Sequence, residues 1–386
     1  EDTGRFRLWY GHRTEDMQTA RQRLGYMESS DGILWERPPR VLGMPGEMQF
    51  GVSVISAGPL RSNPAQRYQL GFYSPDGELK IGVSPDGLAW SWLTDAVALR
   101  HNHDINSLFY DSARNWYIAT ISAYRAGDDW EGQRRITMQS RSRDLVHWTP
   151  ARYVVLPDPA HDEGETQFYA MDGYRMRGDL IVGMVKVLRD DLKADDPPNP
   201  PEAYGMGYTT LAWSRDGQRW ARDTTPFFSP NPEAGAWDHA HAWIDEQVAV
   251  DDDVYLYYGG YAHGHKVGRF EERQIGLVTI KQDRYAGWTA ANGEGELVTP
   301  PLLLNSTALS VNVDAEEGRL VAELRDGDGR AFRGFGYKDC RAVSGDHVRA
   351  ELKWDKSLTR LEGKQAVLAF RLENATLYAL YAKNQK

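Results

Sequence analysis

One cysteine, Cys340, stands in 386 residues, so no disulfide can close within the chain. That leaves the compartment open, because many bacterial exported proteins lack disulfides. No run of about 18 apolar residues occurs, which excludes a membrane-spanning helix. Positive charge is in short supply: 45 Lys and Arg face 55 Asp and Glu, a formal charge of −10. That balance argues against nucleic acid and against an anionic membrane surface as partners. A glycine-rich phosphate loop, a serine nucleophile elbow and a CxxC motif are all missing. Isolated glycines such as Gly4 and Gly11 read as turns. No signal peptide is visible; export would have removed one.

Aromatics are plentiful, with 13 Trp and 20 Tyr, as suits aromatic-rich strands. The 37 Gly and 19 Pro imply frequent turns. Four stretches share one skeleton of Ser, any residue, Asp, three residues and Trp. They run from Ser29 to Trp35, Ser84 to Trp90, Ser142 to Trp148 and Ser214 to Trp220. A looser fifth copy, Asp283 to Trp288, lacks the serine. Trp-to-Trp spacings of 55, 58, 72 and 68 residues point to a repeat architecture. Asp and Ser side chains bond to nearby backbone amides in tight turns, and the Trp opens the next strand.

Strand patterns between these boxes predict four-strand units. The first holds Phe6–Tyr10, Arg23–Glu28 and Trp35–Arg37. The second holds Phe50–Ile55, Tyr68–Tyr73, Leu79–Val83 and Trp90–Leu93. Asn106–Asp111, Trp116–Ser122, Arg135–Ser140 and Trp148–Val155 make the third. Thr166–Met171, Leu180–Leu188, Met206–Trp213 and Trp220–Asp223 make the fourth. The fifth has Ala242–Val250, Val254–Gly259, Gln274–Ile280 and a strand near Trp288. Five such units over residues 1–297 read as a five-bladed β-propeller. Its first blade lacks an inner strand, so residues natural to the fold are expected upstream of Glu1. From 298 to 386 the strands Arg319–Arg325, His347–Trp354, Ala366–Leu372 and Ala375–Tyr381 alternate evenly and predict a C-terminal β-sandwich. The fold class is therefore all-β. The Pro-rich stretch Asp190–Pro201 reads as a long loop inside the fourth unit.

In a four-strand blade, the loop between strands 3 and 4 points to one face. Loops between strands 2 and 3, and those entering strand 1, point to the other. The boxes fill the 3–4 loops, so chemistry is expected on the opposite face. Of ten histidines, eight fall there: His12, His101, His103, His161, His239, His241, His263 and His265. Arg13, Gln49, Trp130, Lys266 and the carboxylates Asp104, Asp162, Glu163, Glu165 and Asp238 join them. Glycoside hydrolysis needs two carboxyl groups across the scissile bond. Asp104, Glu165 (or Glu163) and Asp238 begin three successive inner strands and are the catalytic candidates. A Glu beside Phe168 and Tyr169 would have a raised pKa and act as the acid. His12, Arg13, Gln49, His103, Asn106, Trp130, His239, His241, His263 and His265 are the substrate-binding candidates. His101-x-His103-Asp104 and Asp238-His239-x-His241 also place ligand-type residues at alternate strand positions, so a metal ion on the propeller axis is a rival use of the same residues. Otherwise no cofactor is expected.

The chain resembles the five-bladed propeller glycoside hydrolases of families 32, 43 and 68. The closer likeness is to bacterial proteins labelled glycosyl hydrolase family 32 N-terminal-like. The stretches Gly4–Tyr10, Glu28–Glu36, Arg67–Leu70, His103–Asn106, Val254–Gly260, Ile275–Leu277 and Leu377–Tyr381 carry it. The resemblance implies that Asp104 tunes the pKa of the acid and that Glu165 is the acid. The family's first-blade Asp and its Trp-x-Asn-Asp-Pro-type motif have no match in this sequence. The expected function is a secreted or periplasmic glycoside hydrolase acting on a polysaccharide or its oligosaccharides. Its rivals are a non-catalytic carbohydrate-binding propeller and a metal-dependent propeller hydrolase such as a lactonase. Nucleic acid and membrane are not expected partners, and the oligomeric state is not legible.

Overall fold

The computed structural model describes residues 4–13, 22–39, 42–128, 130–194, 204–265, 267 and 273–384. Among the described residues every regular element is a strand or a short 3-10 turn. β1 (Phe6–Arg13) pairs antiparallel with β2 (Gln22–Ser29). β3 (Phe50–Ile55), β4 (Tyr68–Ser74), β5 (Glu78–Ser84) and β6 (Ser91–Trp92) form the next sheet, with β7 (Leu99–Arg100) also on β5. β8 (Asn106–Asp111), β9 (Trp116–Gly127), β10 (Trp130–Ser142) and β11 (Arg152–Val155) form another. β12 (Thr166–Arg177), β13 (Leu180–Lys193), β14 (Tyr204–Ser214) and β15 (Ala221–Arg222) follow. β16 (His241–Val250), β17 (Asp253–Tyr261) and β18 (Gln274–Lys281) continue that sheet through one parallel bridge, Gly207 to His241.

Middle strands such as Tyr68–Ser74 and Leu180–Lys193 are buried on both faces along most of their length. Their near-continuous apolar and small residues follow from being covered on both sides, because each sheet packs on the next. β3 lies against β1 and β8, and β12 lies against β8 and β9. Side chains tie neighbouring first strands together. Ser53 Oγ accepts from the Leu108 amide (2.9 Å), and Ser107 Oγ donates to the Met171 carbonyl (2.9 Å). The succession returns on itself: Tyr257 of β17 donates to the Gly32 carbonyl of the first box at 2.7 Å, across 225 residues.

The boxes are the turns their composition predicts. In each, the Asp Oδ1 accepts two successive amides, as Asp31 does from Ile33 (2.8 Å) and Leu34 (2.9 Å). Gly32, Gly87 and Gly217 take the left-handed backbone that follows, at φ 77°, 78° and 65°. The third box places Leu145 there at φ 61°, with its side chain fully buried. The amides of Arg219 and Gln218 hold the Asp216 carboxyl down to about 2, below its ordinary 3.8. A depressed carboxylate lends stability above its unfolded pKa and loses it as pH falls through the folded one. The Tm of the protein should thus fall more steeply from about pH 4 to about pH 2 than that of Asp216→Asn. Parallel curves by circular dichroism would take this box out of the acid response.

Two compact units divide the chain: Glu1–Gln247 with Leu256–Val278, and Val248–Tyr255 with Thr279–Lys386. In the second, β19 (Trp288–Val298), β20 (Leu302–Leu303), β21 (Ser306–Arg325), β22 (Val343–Glu351) and β23 (Gln365–Asn384) form one sheet of order β19-β23-β21-β22, with β20 on β23. Val311, Val313, Leu320, Leu324, Leu368 and Phe370 make its core. Two strands predicted separately, Ala366–Leu372 and Ala375–Tyr381, are one strand here, which passes through Asn374 at φ 44°. Trp288, expected to open a fourth strand of the fifth unit, instead begins β19 and pairs with Leu377. Of the long loop expected at Asp190–Pro201, Asp190–Lys193 finish β13 and residues 195–201 lie outside the described residues.

Candidate functional site

A cavity of about 300 Å³ opens in the first unit, lined by Gln49, Tyr73, Asn102, His103, Asp104, Tyr124, Arg135, Tyr169 and His265. None of these belongs to a box. They come from segments that enter β3 and β8, from β4, β9, β10 and β12, and from the loop after β17. The walls are aromatic because inward-facing positions of successive strands carry tyrosine. Burial pushes the phenols of Tyr73, Tyr124 and Tyr169 up, so all three stay protonated and act as donors.

Arg135 organises one wall. Its side chain is buried. Nε donates to His103 Nε2 (3.1 Å), and Nη1 donates to Gln167 Oε1 (2.7 Å) and Asp190 Oδ2 (3.2 Å). Gln167 Nε2 also donates to Asp190 (3.0 Å). The guanidinium lies over the rings of Tyr124 (4.8 Å) and Tyr169 (5.4 Å). Tyr169 stacks on Trp243 at 4.7 Å, with His241 behind that indole at 4.6 Å. Both nitrogens of the fully buried His241 lack a hydrogen-bond partner among the described residues.

Asp104 Oδ1 stands 3.4 Å from His103 Nε2, an ion-pair distance, with 27% of its side chain exposed. The contact is not an ion pair. Burial, then the Arg135 charge, holds His103 well below its ordinary pKa, and its Nε2 already accepts from Arg135. His101 is likewise pushed down to about 4 by burial, with Nδ1 against the Ser122 carbonyl at 3.1 Å. The imidazoles of His101 and His103 are therefore neutral near pH 7.

Gly51 makes room for this segment. Its φ is 63°, and a Cβ there would stand 2.8 Å from the Asp104 carbonyl oxygen, 2.6 Å from the side-chain Nδ2 of Asn106 and 3.0 Å from its backbone nitrogen. Gly51→Ala is expected to cost about 2 kcal/mol or more, from left-handed strain plus displaced backbone. Urea unfolding measures it, and a loss below about 0.5 kcal/mol would show that the segment yields without strain.

Of the residues expected from the sequence, the structure gathers Gln49, His103, Asp104 and His265 in the cavity. Asn106 is buried beside Gly51, and neither side-chain amide atom has a hydrogen-bond partner among the described residues. Asp238 is buried and accepts from Tyr258 (2.8 Å), while His239 Nδ1 meets the Asn231 carbonyl at 2.8 Å. Glu165 is exposed and Glu163 is 89% exposed, 3.6 Å from Arg189; neither lines the cavity. His12 is exposed on β1, and His263 is half-buried after β17. Trp130 opens β10 rather than sitting in a loop, its Nε1 donating to the Arg125 carbonyl at 3.3 Å. Arg13 ends β1, but its side chain lies outside the described residues, as does Lys266. Among the described residues no three His, Cys, Asp or Glu side chains come together to hold a metal. Sequence reading missed Tyr73, Asn102, Tyr124, Arg135 and Asp190. The one available signal was an arginine at an inward parity of a strand, which without the strand's neighbours reads as a surface charge.

No family model matches the chain, and no curated protein does. Solved structures do. A glycosyl hydrolase from Bacteroides ovatus has 16% identity and a TM-score of 0.49, over 73% of this chain and 82% of that one. The Bombyx mori GH32 β-fructofuranosidase has 12% identity and a TM-score of 0.46, over 99% and 90%. An N-acetylgalactosamine deacetylase from F. plautii, in complex with blood group B trisaccharide, has 15% identity and a TM-score of 0.46, over 72% and 86%. At such identities and TM-scores these likenesses assign no reaction. The chain is similar to structures that include glycoside hydrolases, and the cavity's own chemistry has to carry any further step.

Proposed function

We propose that the chain is a glycoside hydrolase acting on a polysaccharide or its oligosaccharides, exported from the cell, with its first unit a five-bladed propeller. The observation that carries this is a carboxylate, Asp104, facing a cavity of about 300 Å³ walled by three tyrosines. Sugars present C–H faces that pack on aromatic rings and hydroxyls that bond to carboxylate and phenol groups. An oxocarbenium-like transition state gains positive charge at the anomeric carbon, and a carboxylate in a partly desolvated pocket stabilises it. Asp190, bonded to Arg135 of the wall at 3.2 Å, is the nearest candidate for the second carboxyl group; Glu165, Glu163 and Asp238 are its rivals. The sheets that succeed one another and return through Tyr257 to Gly32 support the propeller reading.

The test is cleavage of a broad polysaccharide and aryl-glycoside panel by wild type, Asp104→Asn, Asp190→Asn and Glu165→Gln, with and without chelator. Cleavage lost in Asp104→Asn and indifferent to chelator supports the reading; loss on chelation would move the activity to a metal. A second reading, sugar binding without cleavage, is favoured by the commitment of Asp190 to Arg135 and Gln167. Binding with no cleavage anywhere on the panel would establish it.

A further inference from the structure

We propose that Arg135 is a positioning residue that locks His103 as its Nδ1–H tautomer and so denies Asp104 an imidazole N–H at 3.4 Å. Arginine has five N–H donors and no acceptor. Its Nε can meet His103 Nε2 at 3.1 Å only if that nitrogen offers a lone pair. The proton of the neutral ring therefore sits on Nδ1, which is buried and has no hydrogen-bond partner among the described residues. A ring buried between Tyr124 and Tyr169, both edge-on at 5.0 Å, has no freedom to turn away.

Without Arg135, Nε2 would face Asp104 directly, and a carboxylate at that distance favours a protonated imidazole. The resulting ion pair would cover the carboxylate that the cavity presents. Arg135 thus works through His103, and it is itself held by Asp190 and Gln167. The charged or titratable groups around His103 are Asp104 and His101 on its own segment, Arg135 on β10, Tyr124 on β9, Tyr169 on β12, Asp190 on β13 and His265 after β17. Only Asp104 and Asp190 are acidic enough to favour its proton at neutral pH, and Asp190 pairs with Arg135. The consequence for turnover rests on the hydrolase reading; the tautomer does not.

The experiment is NMR of histidine-labelled full chain, with His103 assigned from His103→Gln. In wild type, His103 should show the Nδ1–H tautomer and no titration between about pH 5 and pH 9. In Arg135→Met it should titrate with a midpoint above the ordinary 6.5. In Arg135→Met/Asp104→Asn the midpoint should fall again by about one unit or more. Arg135→Lys, which keeps an N–H donor, should hold the ring locked and acts as the control if the Met variant is unfolded. An Nε2–H tautomer or a titration in wild type overturns the proposal, as does a silent His103 in folded Arg135→Met. Where cleavage is measurable, Arg135→Met should lose about tenfold in kcat below its new His103 midpoint and regain it above. Locked NMR behaviour without any cleavage would retain this inference while removing the hydrolase.

Discussion

Asp104→Asn should lower kcat by about 10²–10⁴-fold on any substrate the protein cleaves, with KM nearly unchanged. The substitution is isosteric at a half-buried side chain, so the fold has no cause to move. Asparagine keeps a hydrogen-bonding oxygen for a sugar hydroxyl and loses only the charge and the basicity, which matter most in the transition state. Asp190→Asn should differ in kind. It removes the ion partner of a buried guanidinium as well as a carboxylate, so stability should fall along with turnover. Glu165→Gln should stay within about twofold of wild type, because an exposed side chain outside the cavity has no desolvated field to contribute. Loss of activity in Glu165→Gln with Asp190→Asn active would restore the pair expected from the family resemblance. Steady-state kinetics alongside thermal melts separate these cases.

The largest stability effect should come from a side chain far less conspicuous in the sequence. Lys186 on β13 is buried, and its Nζ donates to Asp172 on β12 (2.7 Å) and to Asp245 on β16. Lys186→Met leaves these carboxylates facing each other and should cost about 3–5 kcal/mol at pH 7. Burial, and then Asp245, push the Asp172 carboxyl up to about 7 against the pull of Lys186. Burial, Asp172 and Asp245 likewise push Glu246 up to about 8. Glu246 is nonetheless accessible to solvent. Carboxyl groups whose folded pKa is raised lend stability below their unfolded pKa and lose it as pH rises through the folded value. The cost of Lys186→Met should therefore grow from about pH 5 to about pH 8. Urea midpoints at several pH values measure it, and a cost that is flat or shrinks with pH would mean the cluster is not desolvated.

Much of the strand plan was legible. Phe50–Ile55 and Asn106–Asp111 begin and end where alternation and turn residues place them. Others run on: Trp116–Ser122 extends to Gly127 and Leu180–Leu188 to Lys193. These extensions carry Tyr124 and Asp190, polar or charged residues that propensity assigns to loops. Pairing in a sheet overrode that local preference, and it places Tyr124 in the cavity wall and Asp190 against Arg135 behind it. The terminal strands misled for the opposite reason. Asn374 reads as a break between strands, yet asparagine tolerates the left-handed backbone and one strand continues through it.

What the sequence by itself determined was periodic and local: the Ser-x-Asp turns and the strands between them. Those features depend on residues within a few positions of one another, and composition reports them. Which carboxylates meet was decided only by the tertiary structure. Asp104 and Glu165 both stand just before the first strand of a sheet, and nothing in their neighbourhoods tells them apart. Folding turned Asp104 to a wall built from four sheet strands and left Glu165 in solvent. The partners that distinguish them, Arg135, Tyr124 and Tyr169, lie 20 or more residues from Asp104 in sequence and reach it only when the sheets pack.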